Sequence, residues 1–209
     1  MIIFRKTLHL YKLKLKIHMK NFLIFGPPGS GKGTYSKVLA EKLNLEHLST
    51  GDIIRDEIKK DTEFGRMAKG LIDAGNFVPD KHIIQIVVEK LTKMENKDGF
   101  VLDGFPRTVQ QAKFIDKFLF ERRTPIKALL NLRVSKPILF ERISKRAKIE
   151  GRPDDADNKV IHARLNKYEN ETLPVLNYFE TRGKIININS DQSIDDAINE
   201  ILGKIEDIT

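Results

Sequence analysis

The chain has 209 residues, 40% of them hydrophobic, no cysteine and a formal charge of +8. A disulfide scaffold and a cysteine-ligated zinc site are excluded, and no apolar run approaches the roughly 18 residues of a spanning helix. The length suits one sizeable core with small inserted lobes, and the absence of cysteine agrees with a reducing cytoplasm.

Residues 1–18 hold Arg5, Lys6, Lys12, Lys14 and Lys16 and no acid. Taking those five from the 37 basic residues leaves 32 against 29 acidic ones, so residues 19–209 are only mildly basic. Lysines interrupt every apolar stretch of the segment, unlike a secretory signal, and it has one Arg and no Ser, unlike a mitochondrial transit peptide. It is expected to be a disordered basic extension ahead of a single domain at 19–209.

The apolar run Phe22-Leu23-Ile24-Phe25 reads as a buried strand. Gly26-Pro27-Pro28-Gly29-Ser30-Gly31-Lys32-Gly33-Thr34 follows, and then a helical pattern with Val38, Leu39 and Leu43 on one face. Between a strand and a helix, G-x-x-x-x-G-K means phosphate binding. Glycines let backbone N–H groups approach the phosphates, the helix start adds its dipole, and Lys32 supplies a point charge. Gly33 stands where the general pattern has Ser or Thr, so the hydroxyl suited to Mg2+ falls at Thr34.

A short strand is expected near Glu46-His47-Leu48. Ser49 with Asp52 then approximates a capping box and opens a helical segment carrying Thr50 and Arg55 and ending at Gly75. Asn76-Phe77-Val78-Pro79-Asp80 reads as a turn, with Asp80 capping a helix over 81–95. Gly99–Leu102 is a strand running into Asp103-Gly104-Phe105-Pro106-Arg107-Thr108. Ligands of an open parallel sheet sit beyond the carboxyl ends of its strands, and an acid at Asp103 suits Mg2+ and its waters. A plain turn would explain Gly-Phe-Pro but neither Asp103 nor Arg107.

A helix over 109–121 leads to a strand at Ile126–Leu132. Ser135 then caps a helix with Arg142 and Arg146 on one face. A charged excursion, Ala147 to Asp155, contains Arg152, Asp154 and Asp155 and precedes a long helix that carries Arg164 to about Thr181. Ile185–Ile188 is the last strand, and Ser193 with Asp196 opens the last helix. Alternating strands and helices predict an α/β fold: a parallel five-stranded sheet flanked by helices, of the P-loop type.

Arg55, Arg107, Arg142, Arg146, Arg152 and Arg164 need a common explanation. Phosphoryl transfer asks for alignment and charge neutralisation rather than covalent chemistry, and arginine forks match phosphate oxygens. With GPPGSGKGT, LSTGDIIRDEI, GNFVPD, DGFPRT plus Gln111, and GRPDD in order, residues 20–209 resemble the adenylate kinases of the nucleoside-monophosphate kinase family, in their short-lid form. The resemblance implies transfer from MgATP to AMP giving two ADP, Mg2+ without zinc, and a monomer with no nucleic-acid or membrane partner. It also implies a monophosphate-binding lobe at about 49–78 and a lid at about 147–157.

The same resemblance assigns Gly29, Ser30, Gly31, Lys32, Gly33, Thr34, Arg142, Arg146 and Gln192 to ATP. Thr50, Arg55, Asn76, Phe77, Val78, Gly104, Phe105, Pro106, Arg107, Gln111, Arg152 and Arg164 fall to AMP, with Gln111 reading the adenine edge. Lys32 and Arg107, Arg142, Arg146, Arg152 and Arg164 become the catalytic charges, and Asp103 and Thr34 the Mg2+ contacts through water. Asp154 and Asp155 resemble lid acids, although helix N-terminal charge preference also explains them. The alternatives are a UMP/CMP kinase of the same fold, which tends to carry Ala at Thr50 and Asn at Thr108, and a non-catalytic ATP- or RNA-binding adaptor, suggested by the basic extension.

Overall fold

In the computed structural model, residues 19–95 and 97–208 are described; the expectation for residues 1–18 lies outside them. The strands are β1 (Lys20–Phe25), β2 (Glu46–Ser49), β3 (Gly99–Asp103), β4 (Ala128–Arg133) and β5 (Ile185–Asn189). They form one parallel sheet in the order β2-β3-β1-β4-β5. The register sets Ile24 beside Asp103, and Asp103 beside Ser49, so these carboxyl ends finish level.

Alternation along the strands divides the core. Leu23 and Phe25 pack with Leu48, Phe100, Leu102 and Leu129 on one face, and Phe22 and Ile24 with Val101, Ala128, Leu130 and Ile188 on the other. The first face is covered by α4 (Asp80–Lys93), α5 (Val109–Glu121) and α8 (Pro174–Glu180), whose Val87, Ile115 and Phe179 belong to that core. The second is covered by α1 (Lys32–Lys42) and α9 (Ile194–Ile205) through Tyr35, Leu39, Ile198 and Ile201.

The expected helical segment after Ser49 is two helices, α2 (Thr50–Lys59) and α3 (Glu63–Asp73). Ser49 caps α2 by accepting from the Asp52 N–H, and Thr62 opens α3 by accepting from that of Gly65. Gly75 follows α3 with φ +72°. The charged excursion lies between α6 (Lys136–Glu150) and α7 (Asn158–Lys167), with a 3₁₀ turn at Pro153–Asp155. The long helix expected to reach Thr181 is α7, a π-helical turn at Tyr168–Thr172, and α8. Pro174 has no N–H for the residue four back, and the backbone widens just ahead of it.

Three local expectations are corrected. Pairing of β4 with β1 starts at Ala128 rather than Ile126: Pro125 has no N–H to donate, and the first backbone bond to β1 runs from the Lys127 N–H to the Asn21 carbonyl. Ser135 is the N-cap of α6 as expected but makes no side-chain cap bond; its backbone N–H donates to the Asp191 carboxylate at 2.9 Å. Pro79, not Asp80, is the N-cap of α4, because the Asp80 carboxylate turns away from its own helix toward α5.

Candidate active site

The carboxyl ends of the strands open into one cavity of about 1550 Å3. Its floor is the loop between β1 and α1. Gly29 and Gly31 hold φ of +87° and +89°, which L side chains rarely adopt. A Cβ on Gly29 would also lie 2.7 Å from Ile143 of α6, so the loop and that helix touch through the missing side chain. Lys32 folds back into the loop, donating from Nζ to the carbonyls of Gly26 at 2.7 Å and Pro27 at 2.8 Å. Burial pushes its ammonium down to about 7; Asp103 pulls it up, while the fields of Arg107, Arg146 and Arg164 push it lower. The lysine and three arginines from three other segments therefore share one electrostatic neighbourhood.

Asp103 ends β3 on the cavity wall. A Cβ on Gly33 would stand 3.6 Å from its Oδ2, and Thr34 lines the cavity next to that glycine. Thr50 donates to the Asp103 carbonyl at 3.3 Å. Gly104 has φ +78°, and a Cβ there would meet Thr50 Oγ1 at 2.7 Å. The bond between Phe105 and Pro106 is cis. Arg107 bends over this turn, donates from Nε to the Gly104 carbonyl at 2.8 Å, and lies 5.2 Å from the centre of the Phe77 ring. Burial lowers its guanidinium to about 10, with Asp103 opposing, so it stays charged at neutral pH.

The remaining arginines are held by partners of which the sequence gives little sign. Arg55 pairs with Asp52 at 2.5 Å, one turn back on α2. Arg142 donates to the hydroxyl of Ser190 at 3.0 Å and to its carbonyl at 2.7 Å. Ser190 also donates to the carbonyl of Ser30, tying α6 to the phosphate-type loop. Arg146 grips Asp155 with two bonds, at 2.5 and 2.8 Å. Arg164 reaches Asp155 at 2.6 Å and Asp154 at 2.7 Å. Arg152 pairs with Glu150 at 2.6 Å, and burial followed by the fields of Arg55 and Arg146 lowers its guanidinium. The Asp155 side chain is fully buried, which by itself would raise its carboxyl; the bonds and charges of Arg146 and Arg164 outweigh this and hold it below the usual range.

Most of the residues singled out in the sequence line this cavity, including Asn76, Phe77, Val78, Phe105, Pro106 and Gln111. Ser30 does not: it is fully buried under the loop, with Oγ 3.4 Å from Lys32 Nζ. Gln192 reaches the rim, but its amide donates to Glu200 of α9 at 2.6 Å. Sequence reasoning missed Ser190, the residue after β5, which the rule placing sites beyond strand ends could have flagged. It gave Asp80 a capping role and so missed the contact with Gln111. Among the described residues no three acidic, histidine or cysteine side chains converge as a metal group, so a cation at Asp103 would take most of its shell from phosphate and water.

A family model described as adenylate kinase matches residues 24–184. An adenylate kinase of Parabacteroides distasonis is 40% identical over 189 residues, 90% of this chain and 97% of its own length. One from Leptospira biflexa is 40% identical over 187 residues, 90% of this chain and all of its own. One from Methanothrix thermoacetophila is 36% identical over 214 residues, 89% of this chain and all of its own.

Two outcomes are expected from this geometry. Removing the Asp155 carboxylate strips two arginines of their shared partner, so Asp155→Ala should lower unfolding free energy by about 2–4 kcal/mol in urea titration. A change below about 0.5 kcal/mol would contradict the hub. For Lys32, only half of the ammonium is charged at its value of about 7, and less above it. A bound polyphosphate favours the charged form, so ATP binding should take up protons above that value and weaken as pH rises. Calorimetry at about pH 8 in buffers of different ionisation enthalpy should register uptake approaching one proton per ATP. Binding without uptake would contradict it.

Proposed function

The chain belongs to the adenylate kinase family, and from that premise we propose how its own residues divide the transfer of a phosphoryl group from ATP to AMP. The observation that carries the assignment is the single cavity of about 1550 Å3 shared by the phosphate-type loop and by Arg55, Arg107, Arg152 and Arg164. Ordinary ligand pockets hold about 300–1,000 Å3, so there is room for two nucleotides end to end.

In this reading the N–H groups of Gly29 to Thr34 and the start of α1 surround the ATP phosphates. Ser30 contributes backbone alone, since its side chain is buried under the loop. Lys32 leaves its carbonyl partners for the outer phosphate oxygens. Arg142 and Arg146 face ATP, with the backbone near Gln192 beside the ATP base. Thr50, Arg55 and Arg107 hold the AMP phosphate, the walls Asn76–Val78 and Gly104–Pro106 enclose the nucleoside, and Gln111 meets the base. Arg152 and Arg164 converge on the phosphoryl group in flight.

An AMP phosphate oxygen attacks the γ-phosphorus of ATP, the bond to the β–γ bridging oxygen breaks, and two ADP result. AMP is largely dianionic at neutral pH, its second pKa being near 6, so no side chain need remove a proton. The work is alignment and charge stabilisation, which the arginine forks supply.

Mg2+ fits the donors present, a hard carboxylate at Asp103 and a hydroxyl at Thr34. Bound there through water, it would neutralise charge on the β- and γ-phosphates. We assign the monophosphate lobe to residues 49–78 and the short lid to 147–157, supported by the arginine anchors each carries. We also propose a cytoplasmic monomer. The compartment is supported by the cysteine-free chain, and the monomer by the resemblance of residues 20–209 to short members of the family.

The test is a panel of AMP, CMP, UMP and GMP offered with MgATP to purified protein. Diphosphate formation should favour AMP by at least about a hundredfold. A preference for CMP or UMP would overturn the base-site assignment. No transfer to any acceptor would overturn the catalytic reading.

A further inference from the structure

Asp80 is the first residue of α4, yet its carboxylate bonds across to α5. Oδ2 accepts from Thr108 Oγ1 at 2.8 Å, and Oδ1 accepts from Gln111 Nε2 at 2.6 Å. At the other end of the same amide, Gln111 Oε1 accepts from the Arg107 N–H at 2.7 Å. Thr108 closes the circuit: its hydroxyl also caps α5 by accepting from the Gln111 N–H at 3.2 Å.

These partners determine which way the amide points. A carboxylate offers only acceptors, and a backbone N–H is only a donor. Turned end for end, the Gln111 amide would set oxygen against oxygen and N–H against N–H. Gln111 is 2% exposed, so water cannot satisfy the reversed form. The amide still borders the cavity, with one N–H and one carbonyl lone pair uncommitted.

An amide of fixed direction discriminates by polarity as well as by shape. The pairing edge of adenine presents an N6–H donor beside the N1 acceptor. Hypoxanthine has nearly the same outline but presents the O6 acceptor beside an N1–H donor. One orientation of Gln111 matches the first edge and opposes the second.

We propose that Asp80 is a positioning residue for base selection, which by holding the nitrogen end of the Gln111 amide makes the acceptor site choose a 6-amino over a 6-oxo purine monophosphate. The proposal rests on the assignment of Gln111 to the acceptor base. It also links the two halves of acceptor recognition, since Arg107 orients the amide through its backbone and offers its guanidinium to the phosphate.

The test compares AMP with inosine monophosphate as acceptors, as the ratio of their kcat/KM values with MgATP. Asp80→Ala should lower that ratio by roughly tenfold or more, mainly through a higher KM for AMP. Asp80→Asn, whose side-chain carbonyl can still accept from the amide, should keep the ratio within about threefold of wild type. A merely structural Asp80 would lower thermal stability and leave the ratio in place. An unchanged ratio in Asp80→Ala, alongside a collapsed one in Gln111→Ala, overturns the proposal and spares the base-site assignment. An unchanged ratio in Gln111→Ala overturns both. If Asp80→Ala does not fold, Asp80→Ser carries the same expectation: serine keeps a polar group at the position and is too short to reach the amide.

Discussion

Among the cationic side chains that line the one cavity are Lys32 and the six arginines Arg55, Arg107, Arg142, Arg146, Arg152 and Arg164. Gathering like charges out of water is unfavourable, and Lys32 registers the cost most directly, through burial and the fields of three arginines. The arrangement persists because each of these seven has a partner. Asp52, Glu150, Asp154 and Asp155 hold four arginines, carbonyl oxygens hold Lys32, Ser190 holds Arg142, and the Gly104 carbonyl with the Phe77 ring holds Arg107. The cavity suits a substrate pair carrying several negative charges and suits a neutral ligand badly.

The fold delivers these groups from distant parts of the chain. A parallel sheet buried on both faces ends its strands at one level, so Lys32 after the β1 loop, Asp103 at the end of β3 and Ser190 just after β5 meet at that edge. Side chains alone could not fix the spacing. The phosphate-type loop needs glycine at 29, where Ile143 fills the space of a Cβ, and the turn after β3 needs glycine at 104, where Thr50 does the same. Asp155 then joins α6 to α7 through Arg146 and Arg164, so the excursion between those helices is bound to the arginines that flank it.

Much of this was legible because the chemistry dictates residue type and local order. A phosphate loop requires glycines and a lysine between strand and helix, and the order of strands and helices fixes the fold class. Caps at Ser49 and Ser193 were readable because both partners lie within three residues. Contacts that depend on distant segments were not readable. Arg142 and Ser190 are 48 positions apart, and Asp80 and Gln111 are 31 apart. Local rules gave Asp80 a capping role, and tertiary partners outcompeted it; Ser135 is the N-cap expected but makes no side-chain cap bond. The π-helical turn before Pro174 was equally hidden, since proline announces a break without saying how the backbone absorbs it.

The central claim is that one continuous cavity holds two nucleotides with their phosphates meeting between the loop and the arginines. The most direct measurement is calorimetric binding of two adenosines joined through five phosphates, a molecule that spans both positions, with competition by each nucleotide. The account predicts one molecule bound per chain, displaced by both ATP and AMP. If it displaced ATP alone and AMP still bound alongside it, the two positions would not form one phosphate-to-phosphate site, and the account would be contradicted.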